Sequence, residues 1–393
     1  MGSVNTSDLK PGQIFSAPVY SEGKNLLVPA MVPLRQKDID ILLSWGIDTV
    51  KTDGFVIEEE VEEEKAYEPE EEVIIETKKE AIKFSISDVR QNSGPYRAYK
   101  NLIEKLNSVF AGIKSGDDIH MRAIDNICVQ LLQDLRDNPD SFIDYILGGE
   151  VSGHELAKSS VNTAILSALT AQELRLPNHK INNIVAGALL HDIGMLRLSR
   201  GITEKKGGLS DAELEQIKSH PIHTSKIVTK ELFGPHEVNL IALQHHERWD
   251  GQGYPDHLVG QTIDIGARIV SVADAFEAMV SKKSYRNSMI GYQAVKNLLA
   301  DNSRRFDPTV IMAFTKIMGI YPIGSIVRLN DGSVARVVKV HVDAPLRPVI
   351  QMLMDKSGSV ISSGNVTSID LLEDKKLFIK EALNPADSDG SNE

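Results

Sequence analysis

At 393 residues, with 41% apolar and 25% charged residues, the chain has room for two or three domains and at least one sizeable core. Its single cysteine, Cys128, excludes a disulfide framework and cysteine-ligated zinc or iron–sulfur chemistry, and fits a reduced, cytoplasmic compartment. The net charge of −12 gathers in residues 58–76, which hold eleven Glu and one Lys, so the remainder is near neutral and carries no basic domain for duplex nucleic acid.

The N-terminus is polar, without a basic-then-apolar leader, and no apolar run reaches the length needed to span a bilayer. Residues 1–55 are expected to form a small α+β accessory domain. Leu9–Phe15 and Lys24–Val28 read as short strands around the Ser21-Glu22-Gly23 turn, and Ile47–Val50 as a returning strand. Between them, residues 38–45 predict a helix with Ile39, Leu42 and Leu43 on one face and Gly46 as its stop. Residues 56–80 form an acidic, flexible linker broken by Pro69, where like charges repel and few apolar groups can bury.

A helical region occupies residues 81–148, with Leu102, Ile103, Leu106, Phe110 and Ile113, then Ile124, Ile127, Leu131 and Leu135, at helical spacing. These helices are either a homodimer contact or part of an internal bundle. Helices continue through 149–320, the expected catalytic domain. From Tyr321 the period changes to that of strands. Ser325–Leu329 and Val334–Val340 flank Asn330-Asp331-Gly332, a hairpin signal, and Val349–Met354 and Val360–Ile361 read as further strands of a β-rich extension over 321–383. Residues 384–393 read as a disordered tail. The expected fold is mainly α, with the small α+β unit at one end and the β-rich extension at the other.

The chemistry gathers in the helical domain. Ile184–Leu190 is apolar enough for a core helix, yet it runs into His191-Asp192. Val238–Leu243 leads into Gln244 and the pair His245-His246, and Asp274 interrupts the apolar run Ile265–Ala273. His220-Pro221 lies between the first two. Ionisable groups in apolar helices are unfavourable unless paired or metal-bound, and several helices delivering them suggest convergence on one point. Nitrogen and oxygen ligands without sulfur suit Fe, Mn, Zn, Ni or Co. A carboxylate such as Asp192 can bridge two ions, and two ions about 3.5–4 Å apart can share a hydroxide and clamp the attacking and leaving oxygens of a phosphodiester.

His191-Asp192, His220-Pro221, the string from His245 through Gly253-Tyr254-Pro255, and Asp274 resemble the HD-GYP family of bacterial phosphodiesterases over about residues 150–320. The resemblance implies an all-helical HD-type bundle that hydrolyses cyclic di-GMP to pGpG or GMP through a metal-bridging hydroxide, with two or three iron or manganese ions. By position it makes Asp192 the bridge, gives His220, His245 and His246 to one ion, and gives His191 with Asp274 to the other. Glu155 matches a ligand for a third ion. Lys283 and Arg286 fall where the family places cations against phosphate. Gly253, Tyr254 and Pro255 form a loop that supports the site or contacts substrate or protein partners.

Three departures stand out. Ser159 occupies the place of the family's first histidine, Met195 that of a lysine near the scissile phosphate, and Lys283 that of a common arginine. Glu155, one turn before Ser159 on the same helix face, could cover the first loss, whereas His154 would need a break in the helix to reach the centre. Two readings follow: an active phosphodiesterase, or a degenerate domain that binds cyclic dinucleotide or signalling partners with little hydrolysis.

Overall fold

The computed structural model describes residues 94–148, 154–281 except 204 and 206, 291–359 except 302 and 303, 361, and 368–383. Within the N-terminal stretch it describes residues 2–16, 19–21, 25–28, 34, 36, 39, 42, 47, 49–53 and 56–57. The linker 58–80 and the tail 384–393 lie outside the described residues, as does most of the helix expected at 38–45.

Helices dominate, as the periodicity predicts. The first two, α1 (Gly94–Ser115) and α2 (Met121–Asp137), are amphipathic and turn their apolar faces into one core. A short α3 (Pro139–Gly148) leads to α4 (Glu155–Glu173) and α5 (Asn178–Leu190), which are buried on most sides and therefore read as nearly continuous apolar runs. Two short helices, α6 (Arg200–Thr203) and α7 (Asp211–Lys218), precede α8 (His220–Lys226) and α9 (His236–Gln244). A third largely buried helix of this domain is α10 (Ile265–Val280), followed by α11 (Gly291–Ala300) and α12 (Pro308–Met318).

The site is positioned by close helix approach. Ile241 of α9 wedges between α5 and α10, where a Cβ on Gly187 or Gly266 would lie 2.5 and 2.6 Å from its side chain. Only glycine leaves room there, so α9 is seated deeply and its C-terminal end is held between the two neighbours.

The C-terminal extension is a five-stranded antiparallel sheet in the order β10-β9-β8-β7-β11, formed by β7 (Ile326–Leu329), β8 (Val334–Lys339), β9 (Val349–Met354), β10 (Ser368–Asp370) and β11 (Ile379–Leu383). The β7–β8 hairpin turns at Asn330-Asp331-Gly332, with Gly332 at φ 88°. Ile361 lies outside any strand. The short β10 and β11, with their mixed apolar and polar residues, left too weak a pattern to be read from sequence. At the other end, β1 (Gly2–Asn5), β3 (Val19–Ser21), β4 (Asn25–Val28) and β5 (Thr49–Thr52) pair in the order β1-β5-β3-β4, and β2 (Ile14–Phe15) pairs with β6 (Val56–Ile57).

The two β units are not independent. Leu9, Phe15, Val19, Ile47 and Val50 belong to the same core cluster as Val327, Leu329, Val337, Ile350 and Ile379. Arg336 of β8 pairs with Asp144 of α3 at 3.4 Å, and Tyr292 of α11 stacks on Tyr321 with centroids 5.4 Å apart, so the composite unit is tied to the helical domain. Among the described residues no helix is long and apolar enough to cross a membrane.

Candidate metal centre

Three of the histidines sit at helix ends, where backbone carbonyls lack intrahelical partners. His191 caps the C-terminus of α5, His245 caps that of α9, and His220 opens α8 directly after α7. Each imidazole turns back on the residue three earlier. His191 Nδ1 lies 2.7 Å from Ala188 O, His220 Nδ1 2.7 Å from Ile217 O, and His245 Nδ1 2.7 Å from Ala242 O. A carbonyl can only accept, so Nδ1 carries a proton in all three rings and Nε2 is left to face inward. This hydrogen bond fixes the tautomer and ring orientation of a metal-binding histidine.

The inward atoms converge on Asp192. Its Oδ1 lies 3.0 Å from His220 Nε2 and 3.8 Å from His245 Nε2, while Oδ2 lies 3.6 Å from His191 Nε2. His191 Nε2 is also 3.5 Å from Oδ1 of Asp274, which α10 supplies from its middle. Asp192, His220, His245 and His246 each offer one ligand atom, and the four atoms fall within 4.8 Å of one another. His191 and Asp274 stand beside this set, on the side of the other Asp192 oxygen.

Two observations test whether a cation fits. His220 Nε2 and His245 Nε2 approach to 3.3 Å although both Nδ1 positions are protonated, so two neutral rings would point lone pairs at each other. His191 Nε2 is buried without a hydrogen-bond partner. A divalent ion between the two rings would relieve the first, and a second ion beside His191 would relieve the other. Electrostatics agree. Burial disfavours charge on His191, yet the Asp192 and Asp274 carboxylates raise its pKa to about 9, so in the metal-free site a proton takes the place of a cation. Burial opposes ionisation of Asp192 and Asp274, but the surrounding imidazoles hold both below the usual carboxylate range. Burial pushes His245 and His246 down, keeping them neutral and able to ligate.

The turn carrying His191-Asp192 is locked onto α8. Gly194 N donates to Thr224 Oγ1 at 2.9 Å, and that hydroxyl donates to His191 O at 2.9 Å. A Cβ on Gly194 would lie 2.1 Å from His220 O, so two ligand-bearing segments touch through a glycine.

The Gly253-Tyr254-Pro255 loop covers one flank. Tyr254 N donates to His246 O at 3.2 Å, and the Tyr254 ring stacks on His246 with centroids 4.8 Å apart. Gly253 presses on backbone, with space for a Cβ blocked 2.3 Å away by Arg248 N, and the Tyr254–Pro255 peptide is cis. Behind the loop, buried Glu247 accepts N–H bonds from Asp256 at 2.6 Å and Leu258 at 3.0 Å. Glu247 was not foreseen, although a glutamate adjoining a histidine pair at the end of an apolar helix was the available signal.

Ser159 donates to Glu277 Oε2 at 2.7 Å, and Asn162 donates to Glu277 Oε1 at 3.2 Å. Glu277 is buried three residues beyond Asp274 and was also missed, though it breaks an apolar helix just as Asp274 does. Glu155 lies on the exposed first turn of α4 and is not part of the four-ligand set. His154 stands before that helix with φ 54°, exposed to solvent. Met195 is half-buried in the turn after Asp192. Lys283 and Arg286 lie outside the described residues.

Comparison with known proteins finds relatives of this chain. A family model described as an HD domain matches residues 151–310, and one described as a KOW domain associated with HD domain matches residues 326–390. The cyclic di-GMP phosphodiesterase PdeB of Borreliella burgdorferi is 30% identical over 293 residues, covering 75% of this chain and 77% of that protein. A cyclic di-GMP phosphodiesterase of Pseudomonas aeruginosa is 32% identical over 201 residues, covering 51% of this chain and 48% of that protein. A solved structure, Bd1817, a HDG"Y"P protein from Bdellovibrio bacteriovorus, is similar with a TM-score of 0.47 and 17% identity over 80% of this chain and 98% of that one. With a relative of this identity matched along three quarters of both chains, the ligand-bearing helices and their glycine-tyrosine-proline loop place this protein in the HD-GYP family of HD-domain phosphodiesterases.

Proposed function

We propose that the chain hydrolyses cyclic di-GMP to pGpG, GMP or both, using two divalent transition-metal ions, iron or manganese. The observation that carries this reading is the pair of inward Nε2 atoms 3.3 Å apart beside a carboxylate within 3.0 Å, an arrangement that calls for a cation. Asp192, His220, His245 and His246 would hold one ion, and His191 with Asp274 and the second oxygen of Asp192 the other. Bound there, the ions would act as Lewis acids on a phosphodiester and lower the pKa of water toward neutrality.

The chain's own groups do the rest. The three Nδ1–H bonds to carbonyls keep the imidazoles aimed before any ion arrives, so little reorganisation is needed on binding. Tyr254 sits over His246 with its phenol pushed up in pKa by burial and the two carboxylates, so it remains a proton-carrying donor at neutral pH. A donor in that place suits a phosphate oxygen. The apolar lining behind α5 and α10 keeps water out on the inner side.

The competing reading, a domain that binds without efficient turnover, draws on Ser159, a hydroxyl committed to Glu277, and on Met195, which brings no charge. Purified anaerobically with iron or manganese, the protein is expected to release linear dinucleotide or mononucleotide from cyclic di-GMP, and chelation is expected to stop it. Binding of the cyclic dinucleotide without turnover would decide for the second reading.

A further inference from the structure

Glu277 is a buried carboxylate on α10, three residues after Asp274, and none of the ligand assignments above uses it. A buried carboxylate is unfavourable unless hydrogen-bond donors surround it. Here three do. Ser159 Oγ donates to Oε2 at 2.7 Å, while Asn162 Nδ2 at 3.2 Å and Ser281 Oγ at 2.5 Å both donate to Oε1. Ser159 and Asn162 belong to α4, and Ser281 is the residue that ends α10.

The direction of these bonds is fixed. A carboxylate only accepts, so Asn162 must turn its Nδ2 toward Glu277 and its Oδ1 away. That Oδ1 accepts from the Tyr99 hydroxyl of α1 at 2.6 Å, and the Tyr99 ring is itself held by stacking on Tyr145 with centroids 5.6 Å apart. Tyr99, Asn162 and Glu277 are all closed to solvent, so a bond broken here is not replaced by one to water. One directed chain therefore joins α1, α4 and α10.

Its bearing on the metal centre follows from what α10 supplies. The second ion position depends on α10 through Asp274, whereas the first takes its four ligands from the turn after α5, from α8 and from the end of α9. Near its start α10 is fixed by the Asp264 cap, which accepts from Gly266 N at 2.7 Å, and by the Arg268–Asp307 pair at 2.6 Å. Around and beyond Asp274 it packs through buried Ala273, Ala275, Phe276 and Val280. Apolar contact is non-directional and resists rotation of a helix about its axis only weakly. A carboxylate about 5 Å from the axis moves about 1 Å for a rotation of about 10°. Metal–ligand distances tolerate about 0.2 Å.

We infer that Glu277 is a positioning residue for the second ion: its bonds to Ser159 and Asn162 fix the rotation of α10 and so hold Asp274 toward His191. This rests on the two-ion reading above and requires no contact between Glu277 and an ion.

The test uses full-length protein stripped by chelator and titrated with Mn²⁺. Calorimetry reads the two affinities, and electron paramagnetic resonance distinguishes two exchange-coupled ions from a lone one. Glu277→Leu keeps the bulk and removes the acceptors. The second Mn²⁺ should bind at least tenfold more weakly, the first should change less than threefold, and the coupled signal should give way to an uncoupled one. Glu277→Gln should stay within threefold of wild type at both positions, because its Oε1 still accepts from Asn162 and Ser281 and its Nε2 can donate to Ser159 Oγ. Tyr99→Phe, which frees the Asn162 amide, should weaken the second ion alone by about threefold. Tyr99→Phe and Ser159→Ala carry the measurement if Glu277→Leu does not fold. Leu106→Ala, which thins the core under α1 without breaking a polar bond, should lower the melting temperature and leave the ratio of the two affinities within twofold. Two tightly bound, coupled ions in Glu277→Leu, or equal losses at both positions, would overturn the inference. So would Glu277→Gln as weak as Glu277→Leu, or Leu106→Ala shifting the ratio as far. Wild-type protein that binds a single Mn²⁺ would instead overturn the two-ion reading.

Discussion

Gly194→Ala should cripple the metal centre without touching a ligand. The added methyl would sit 2.1 Å from His220 O, 2.6 Å from Thr224 N and 2.7 Å from Thr224 Oγ1, where ordinary contact is 3.4–4 Å. Two of those atoms are backbone, so the start of α8 must retreat by more than an ångström. His220 opens that helix, and its Nε2 stands 3.0 Å from Asp192. A displacement of that size takes one of four ligands out of reach. Overpacking of this kind costs roughly 1–3 kcal/mol in stability. Disturbing a ligand through its support lowers metal affinity about tenfold to a hundredfold. The assay is calorimetric titration of Mn²⁺ into chelator-stripped protein, with thermal melting alongside. Affinity within twofold of wild type together with an unchanged melting temperature would refute the claim that this glycine sets the distance between Asp192 and His220.

Other substitutions probe other parts of the site. Glu247→Gln keeps one acceptor for the Asp256 and Leu258 amides but turns an NH2 toward the second, and should destabilise the protein by about 1–3 kcal/mol. Denaturant melts and hydrogen exchange check it, and unchanged protection of those two amides would show that Glu247 does not hold the loop. Ser159→His exchanges a hydroxyl bound to Glu277 for an imidazole and should raise the number of Mn²⁺ ions retained after dialysis, read by elemental analysis. An unchanged count would show that position 159 does not reach the ions. The metal-free protein should lose stability as pH rises from about 6.5 through 9. His191 has its folded pKa raised to about 9 from an ordinary 6.5, so its contribution is complete below the lower value and gone above the upper. Melting temperature against pH, with and without Mn²⁺, measures this; the loaded protein should show no such fall, and a flat metal-free profile would contradict it.

The helices were legible because their apolar periodicity is strong, and the β7–β8 hairpin because Asn330-Asp331-Gly332 has a local backbone requirement. Five of the six ligand-type residues could be picked out because they follow or interrupt apolar helical runs, whereas His220, which opens α8 after a polar helix, stood out only by its His220-Pro221 motif. What stayed hidden depends on long-range contacts. The shared core of Phe15, Val19 and Val50 with Val327, Val337 and Ile350 joins segments some three hundred residues apart, and alternating strands do not name their partner. Ser159 was read through its missing imidazole, whereas the fold gives its hydroxyl a partner in Glu277. Glu155 shares a helix face with Ser159 but sits a full turn earlier, at the exposed end of α4.

The most direct test is anomalous diffraction from crystals grown with Mn²⁺. The expected result is a peak bounded by Asp192, His220, His245 and His246, with a second, weaker peak between His191, Asp274 and the other oxygen of Asp192. A map with no peak inside that cluster, at manganese concentrations that support hydrolysis, would contradict the account.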